Sequence, residues 1–458
     1  MKGIAKTITQ SRLFSVAQER GMIQCIALLT GFVLFISSAG LIVAHDDPND
    51  LKAVGNSAAA GIGGSGPFPS LNVNLLSHLS LSDIGATGGV IGNDIWGWTD
   101  SDTGKEYALF GLTDGTSFID ITDPTNPLYL GKLPSHVGSN VWRDIKVYDD
   151  YAFIVADGIS NHGMQIFDLT SLQGVTTPTT FSETAHYSGF GNAHNIAINT
   201  DTGFAYVVGS NTAFGGLHIV DLQNPTNPLF AGAFSADGYT HDAQIVTYQG
   251  PDLAYLGLEI AFNSNEDTLT IVDLTNKSSP TMLSRTSYPQ QKYSHQGWLT
   301  EDHRYFLMND ELDELQLSAV NKTRTHIWDV MDLDLPVYKG FYESSTLGTI
   351  DHNLYTHNGL VYEANYTSGL RILQPTDLAN GVMTEVAFFD TYPTDNAVSF
   401  NGAWSVYPFF DSGSIIVSDR QNGLFVLQHV PEPSSLVLLG IAILGILGYG
   451  WKRQKQAA

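Results

Sequence analysis

Between about Leu71 and His429 one pattern recurs, and it restricts the fold more than any other feature of the chain. Its clearest copies are "GTSFIDITDPTNPLYLGKL" (Gly115 to Leu133) and "GGLHIVDLQNPTNPLFAGAF" (Gly215 to Phe234). Weaker copies begin at Gly163, Asp267 and Thr323, and two short ones, "GLRILQ" and "GLFVLQ", at Gly369 and Gly423. Each closes its apolar alternation on an Asp or Gln: Asp120, Asp168, Asp221, Asp273, Asp329, Gln374 and Gln428. These anchors are about 45 to 56 residues apart, a spacing typical of propeller blades rather than of helical repeats. The alternation has period two, is rich in Val, Ile, Tyr and Phe, and is punctuated by Asp, Asn, Pro and Gly, which is the signature of short strands and tight turns. An earlier strand pair precedes each anchor strand, as in "HNIAINTDTGFAYVVGSN" (His194 to Asn211). Seven units of four strands predict an all-β, seven-bladed β-propeller. The last unit ends after its third strand, and "LNVNLLSHLSL" (Leu71 to Leu81) stands alone before the first. That segment is therefore expected to complete the last blade and close the ring, leaving no unpaired edge.

Aligning the first strands brings chemistry into register. Their leading pairs are Asn93-Asp94, Arg143-Asp144, His194-Asn195, His241-Asp242, His295-Gln296, His352-Asn353 and Gly402-Ala403. First strands line the channel of a propeller, so Arg143, Asp144, His194, Asn195, His241, Asp242, His295 and His352 form a candidate binding site at one channel mouth. Second strands return to the same face, with Asp114, Asp157, Asn211, Glu259, Asp310, Glu311, Glu363 and Asp419 near their ends. Imidazole nitrogen together with carboxylate oxygen suits Zn²⁺, Mn²⁺ or Fe, whereas carboxylates alone suit Ca²⁺. His194, His241, His295 and His352 are the candidate metal ligands. The alternative is a structural ring in which each His bonds the backbone of the next blade. The acidic stretches "NSNEDT" (Asn263 to Thr268) and "NDELDE" (Asn309 to Glu314) are loops that could hold Ca²⁺, but neither has EF-hand spacing, and solvated loops are the better reading. Trp96, Trp98, Trp142, Trp298 and Trp404 sit on or beside first strands; most are expected to pack between blades, with one or two able to stack on sugars. No nucleophile elbow, P-loop, H-E-x-x-H or dinucleotide fingerprint occurs, so no catalytic residues are assigned.

The 458-residue chain carries a formal charge of −25, which repels phosphate backbones and argues against nucleic acid as a partner. Lys2, Lys6, Arg12 and Arg20 precede an apolar stretch from Met22 to Ala44, the layout of a secretory signal over residues 1–44 with Ala39 or Ala44 as cleavage points. An uncleaved anchor is the alternative. The single Cys25 lies in this stretch, so the exported part has no disulfide framework. Residues 45–70 are rich in Gly, Ala and Ser and read as a flexible linker to a propeller spanning 71–429. Residues 430–458 contain Pro431, Glu432 and Pro433, an apolar run from about Leu436 to Trp451, and then Lys452, Arg453 and Lys455. This run is short for a permanent span, and its basic end would stay cytoplasmic.

The stretches "GNDIWGWTDSDTGKEYALFGLTDGTSFIDITDPTNP", "WRDIKVYDDYAFIVADG", "FNSNEDTLTIVDLT" and "SHQGWLTEDHRYFL" resemble the choice-of-anchor B family of exported bacterial proteins with LVIVD-type propeller repeats. The C-terminal segment resembles a PEP-CTERM sorting signal. Together these resemblances imply processing by an exosortase-type membrane enzyme in a Gram-negative bacterium making extracellular polysaccharide. They also imply transient anchoring in the inner membrane and final display at the cell surface or in the extracellular matrix. The functional expectation is a non-enzymatic propeller that binds a polysaccharide, a surface protein or a divalent metal (Zn, Mn or Ca). The alternative is a metal-dependent lyase or hydrolase acting on extracellular polysaccharide.

Overall fold

The computed structural model describes residues 68–345 and 348–431; the expected signal, most of the linker, and the sorting segment beyond Pro431 lie outside them. The described chain forms seven sheets, antiparallel except where Thr179–Thr180 pairs parallel with Gly131 and Lys132 at the edge of blade 1. Blade 3 shows the plan, with strands Asn195–Asn199, Phe204–Val208, Leu217–Asp221 and Leu229–Phe234 running from the channel outwards. The innermost strands of the seven blades are Gly92–Thr99, Arg143–Tyr148, Asn195–Asn199, Asp242–Thr247, Ser294–Leu299, Asn353–His357 and Ala403–Tyr407. Each adjoins the next, and the last returns to the first, so the ring is closed.

Closure comes from the N-terminal segment. Val73–Leu79 pairs with Gly423–His429 as the outer strand of blade 7, in register from Val73 with His429 to Leu79 with Leu424. Just before it, Ser70–Leu71 pairs with the outer strand of blade 6, Val382–Phe389. A single short segment thus clamps two blades.

The anchor residues have a local cause. Asp120, Asp168, Asp221, Asp273 and Asp329 each end a third strand, and each carboxylate accepts the backbone N–H two residues on, at 2.8–3.2 Å. This Asx turn ends the strand and starts the loop to the fourth. Gln374 and Gln428 lie inside longer third strands, Leu370–Asp377 and Gly423–His429.

Seven apolar clusters fill the seven joints between blades. Ile219 and Tyr206 of blade 3, for example, pack with Ile245 and Val272 of blade 4. Leu76 and Leu79 of the closing strand pack with Ile95 and Phe110 of blade 1. Polar side chains clip the joints on the channel side. Asp94 accepts the N–H of Ile145 (3.1 Å), and Asp144 accepts that of Ile196 (2.7 Å). Asn195 donates to the carbonyl of His241 (2.9 Å), and Gln244 accepts the N–H of Leu299 (2.7 Å). Gln296 holds both the N–H (2.9 Å) and the carbonyl (3.0 Å) of Leu354.

One strand lies elsewhere than the sequence suggests. "LAYLGLE" reads as the second strand of blade 4, but that strand is Glu259–Ser264. Residues 248–258 form a long loop broken by Gly250, Pro251 and Gly257, with Leu253 and Leu256 exposed. Glu259 therefore starts its strand at the face opposite the histidines, where it binds Asn199 and Thr202.

Deleting Leu71 to Leu81 should lower the thermal midpoint far more than deleting residues 45–66, because it opens two blade edges; equal midpoints would refute closure by this strand. Gln296→Leu should cost about 1–3 kcal/mol for each backbone group of Leu354 left buried and unpaired. Urea unfolding that matches the wild type would show the clip to be dispensable.

Candidate functional site

His194, His241 and His352 immediately precede the inner strands of blades 3, 4 and 6, and His295 is the second residue of that of blade 5. The structure brings all four together. Their rings form one arc, with centroids 4.3 Å apart for His194 and His241, 4.1 Å for His241 and His295, and 4.4 Å for His295 and His352. His295 reaches this arc through a register irregularity between Ser294 and Gln296; such an extra residue re-aims its side chain.

The arc forms an enclosed chamber rather than an open mouth. Its four imidazoles are 2–7% exposed. Ile350, Tyr366, Phe400 and Trp404 form an apolar cluster with Trp142, Leu312 and Val398, and His352 packs 4.6 Å from the Tyr366 ring and 4.9 Å from that of Trp404. The space beside the histidines, which Asp94, Asp144, Lys146 and Asp242 line as well, is about 20 Å³, room for roughly one water molecule or one ion.

Backbone contacts orient the rings. His241 Nδ1 bonds the carbonyl of His295 at 2.8 Å, and His352 Nδ1 that of Trp404 at 2.5 Å. A carbonyl only accepts, so Nδ1 carries the proton and Nε2 keeps its lone pair. This is the arrangement that presents an imidazole to a metal. His194 Nδ1 meets Asp157 Oδ2 at 3.1 Å. His295 Nδ1 is buried, and the backbone of His352 is the group that stands by this ring. Burial first, and then the imidazoles of His241, His352 and His194, holds the pKa of His295 well below the usual value, so it is neutral.

Glu311 joins the imidazoles. It directly follows the second strand of blade 5, Tyr305–Asp310. Its Oε2 is 3.5 Å from His295 Nε2, and its Oε1 is 3.6 Å from His352 Nε2. Oε1 also accepts from the Tyr366 hydroxyl at 2.7 Å. Separations of this size are long for hydrogen bonds. They match the spacing of about 3.4 Å between ligands of a tetrahedral ion with bonds of about 2.0–2.1 Å. His295, Glu311 and His352 each offer a ligand atom within 4.8 Å of the other two. His194 and His241 continue the arc outside this group. Among the second-strand acids read from the sequence, Glu311 and Asp157 are the two that reach the imidazoles.

The other predicted site residues have different surroundings. The Arg143 guanidinium turns to Ser135 (2.9 Å), His162 (3.3 Å) and Gln165 (3.3 Å), and burial lowers its pKa to about 10. Asp144 and Asn195 are engaged in the clips between blades. Burial alone would lower the pKa of Lys146, but Asp144 (2.5 Å) and Asp94 (3.8 Å) outweigh it and hold it above its ordinary value. Asp242 rises to about 7, through burial first and then Asp144. Trp98 and Trp404 are buried. Trp96 and Trp298 line a cavity of about 370 Å³ at the other end of the inner strands, with Tyr355, Gln244 and Lys146.

The sequence reading missed a second imidazole group. His136 stacks on His186 at 3.8 Å, and His136 Nδ1 meets Glu183 at 2.9 Å. These residues come from loops and a short outer strand with no shared register, so no column alignment could group them.

Comparison with known proteins follows the same lines. The LVIVD repeat profile matches residues 190–235 and 260–287, and the PEP-CTERM protein-sorting motif matches residues 429–454. No curated protein matches the chain. Among solved structures, the Cps50 (Swd1) β-propeller domain of Myceliophteria thermophila is 11% identical, covering 78% of this chain and 99% of that one with a TM-score of 0.50. The hydrazine synthase of Kuenenia stuttgartiensis is 10% identical, covering 71% and 93% with a TM-score of 0.51. At such identities the likeness is one of fold. Among the described residues no helix is long and apolar enough to cross a membrane. The chain is thus a seven-bladed propeller with LVIVD repeats and a PEP-CTERM motif, a motif that implies processing by an exosortase-type system, export, and surface or membrane association.

Proposed function

We propose that this is a non-enzymatic surface propeller of the choice-of-anchor B kind that binds one divalent transition metal through His295, Glu311 and His352. The observation that carries the reading is the placement of Glu311, 3.5 and 3.6 Å from two Nε2 atoms. The backbone bond at His352 Nδ1 supports it by turning that Nε2 towards the carboxylate. Two imidazoles and a carboxylate are a donor set suited to Zn²⁺. His241, next along the arc, stands nearest for a further ligand.

A polysaccharide does not fit this chamber, because about 20 Å³ admits no sugar ring. The same dimension weighs against a polymer-cleaving lyase or hydrolase, which needs an open coordination position that the substrate can reach. Extracellular polysaccharide and surface proteins remain partners for the outer surface, and the aromatic cavity at the other end of the channel is the better shaped for a sugar.

Calorimetric titration of the chelator-stripped full-length chain should show one zinc bound. His352→Ala should weaken binding about 10–100-fold or more, since even outer-shell losses do that. No zinc uptake by the wild type, or equal affinity in the variant, would end the reading.

The sorting step has its own test. Pro431 follows the third strand of blade 7 by two residues, so the motif begins where the propeller ends. Replacing both Pro431 and Pro433 with Ala should leave a full-length, membrane-retained form in the native host. Intact-mass analysis that finds both forms maturing alike would refute it.

A further inference from the structure

Near the imidazole chamber the chain buries three more carboxyl groups. Asp313 and Glu314 open a one-turn helix, Asp313–Gln316, after the second strand of blade 5. Asp351 immediately precedes His352. The "NDELDE" stretch reads from sequence as a solvated loop, but the structure overturns this: Asp313, Glu314 and Asp351 are 1%, 7% and 1% exposed. The loop folds inward beneath Leu312, which belongs to the apolar cover of the chamber.

The surroundings satisfy only part of this group. Asp351 Oδ2 accepts the backbone N–H of Arg324 at 3.0 Å. Asp313 Oδ2 is 3.8 Å from Arg324 Nη1, whose hydrogen bond goes to Gln290 at 3.1 Å. Asp313 Oδ1, Asp351 Oδ1 and both oxygens of Glu314 have no hydrogen-bond partner. Each of the three acids nevertheless offers an oxygen within 4.8 Å of the other two. Glu314 decides the matter. It is a carboxyl more than nine-tenths buried, facing two further acids, with its own backbone N–H and the Asp313 carboxyl beside it and no side chain of opposite charge in hydrogen-bond range. Uncompensated buried carboxylates are strongly unfavourable, and one arginine beyond hydrogen-bond range offsets only a fraction of three.

We infer that Asp313, Glu314 and Asp351 form a site for a hard divalent cation, calcium. The donors are all oxygen, with no nitrogen or sulfur to favour zinc. Three carboxylates supply up to six oxygens, which meets the six to eight that Ca²⁺ takes at about 2.3–2.6 Å, and ligands across such an ion stand at most about 5 Å apart. Mg²⁺ keeps several waters and demands stricter octahedral geometry, which suits three closely set, buried carboxylates less well. The site shares no residue with the imidazole group and takes a different class of ion. It is joined to that group by chain: Glu311 is two residues before Asp313, and His352 follows Asp351. A calcium ion here would fix the two segments that carry Glu311 and His352.

The test uses the full-length chain stripped with EGTA. Millimolar calcium should raise its thermal midpoint, and terbium should bind in calcium's place with sensitised luminescence that calcium displaces. Glu314→Gln, which keeps shape and removes charge, should weaken both responses at least tenfold. Asp351→Asn serves if that variant does not fold. His352→Ala should keep its calcium response whatever its zinc affinity, which separates this inference from the transition-metal reading. A wild type indifferent to calcium and terbium would overturn the inference and leave the acids held by Arg324 and shared protons. Undiminished calcium binding in folded Glu314→Gln or Asp351→Asn would overturn it as well, by placing the ion elsewhere.

Discussion

Seven sheets around an axis meet at seven inner joints, where each first strand turns one edge of backbone N–H and C=O groups away from its own blade. These groups are buried, and water does not reach most of them, so they need partners from the neighbouring blade. The first-strand side chains provide them. Asp94, Asp144, Asn195 and Gln296 each reach one blade onward and bond the backbone there, and His241 and His352 do the same through Nδ1. The apolar clusters between blades supply the bulk of the burial. Apolar contact tolerates sliding, whereas a carboxylate bound to one particular N–H does not. The clips therefore fix the register of blade on blade, and the layers of the channel follow from that register.

Those layers differ in kind. At one level lie the imidazoles under their aromatic and aliphatic cover, with space for about one ion. Below them Asp94, Asp144 and Asp242 surround Lys146, whose ammonium sits 4.6 Å over the Trp96 ring. At the far end Trp96, Trp298 and Tyr355 border the wider cavity. The imidazoles and the Asp layer come from consecutive positions, as His241 and Asp242 show, whereas Asp144 and Lys146, two apart on one strand, share a face. A closed polar chamber at one end and an aromatic cavity at the other are two readings of one strand register.

The repeat made most of this architecture legible. Anchor spacing gave the blades, the missing fourth strand gave the closure, and the column of His residues gave the arc. What stayed hidden was local. The anchor Asp could be seen to recur, but its Asx turn shows only in the hydrogen bonds. In blade 4 the apolar residues Leu253 and Leu256 imitate a strand, although they are exposed on a loop. The columns could not show that Asp144 and Asn195 are committed to the neighbouring backbone, because a polar residue at a channel position reads alike whether it faces a ligand or a joint. Nor could they single out Glu311 among eight acidic or amide residues, since that depends on a half-turn of chain just past the end of its strand.

Blade 5 departs from the repeat in two places. Its inner strand, like those of blades 1 and 7, carries a register irregularity, and here it places His295. Its link from second to third strand, residues 311–323, is the longest of the seven among the described residues. That link supplies Glu311 to the imidazoles, Leu312 to the cover, and Asp313 and Glu314 to the buried acid group. A loop serving only to turn the chain could be as short as that of blade 1, where two residues separate Leu112 from Gly115. Extra backbone carries an entropic cost on ordering, and burying three acids in it adds a cost of desolvation. The buried acids are confined to the start of this link, Glu311 to Glu314, while residues such as Leu315 further along are exposed; the charge of opposite sign proposed for them would sit where the seven-fold pattern is broken.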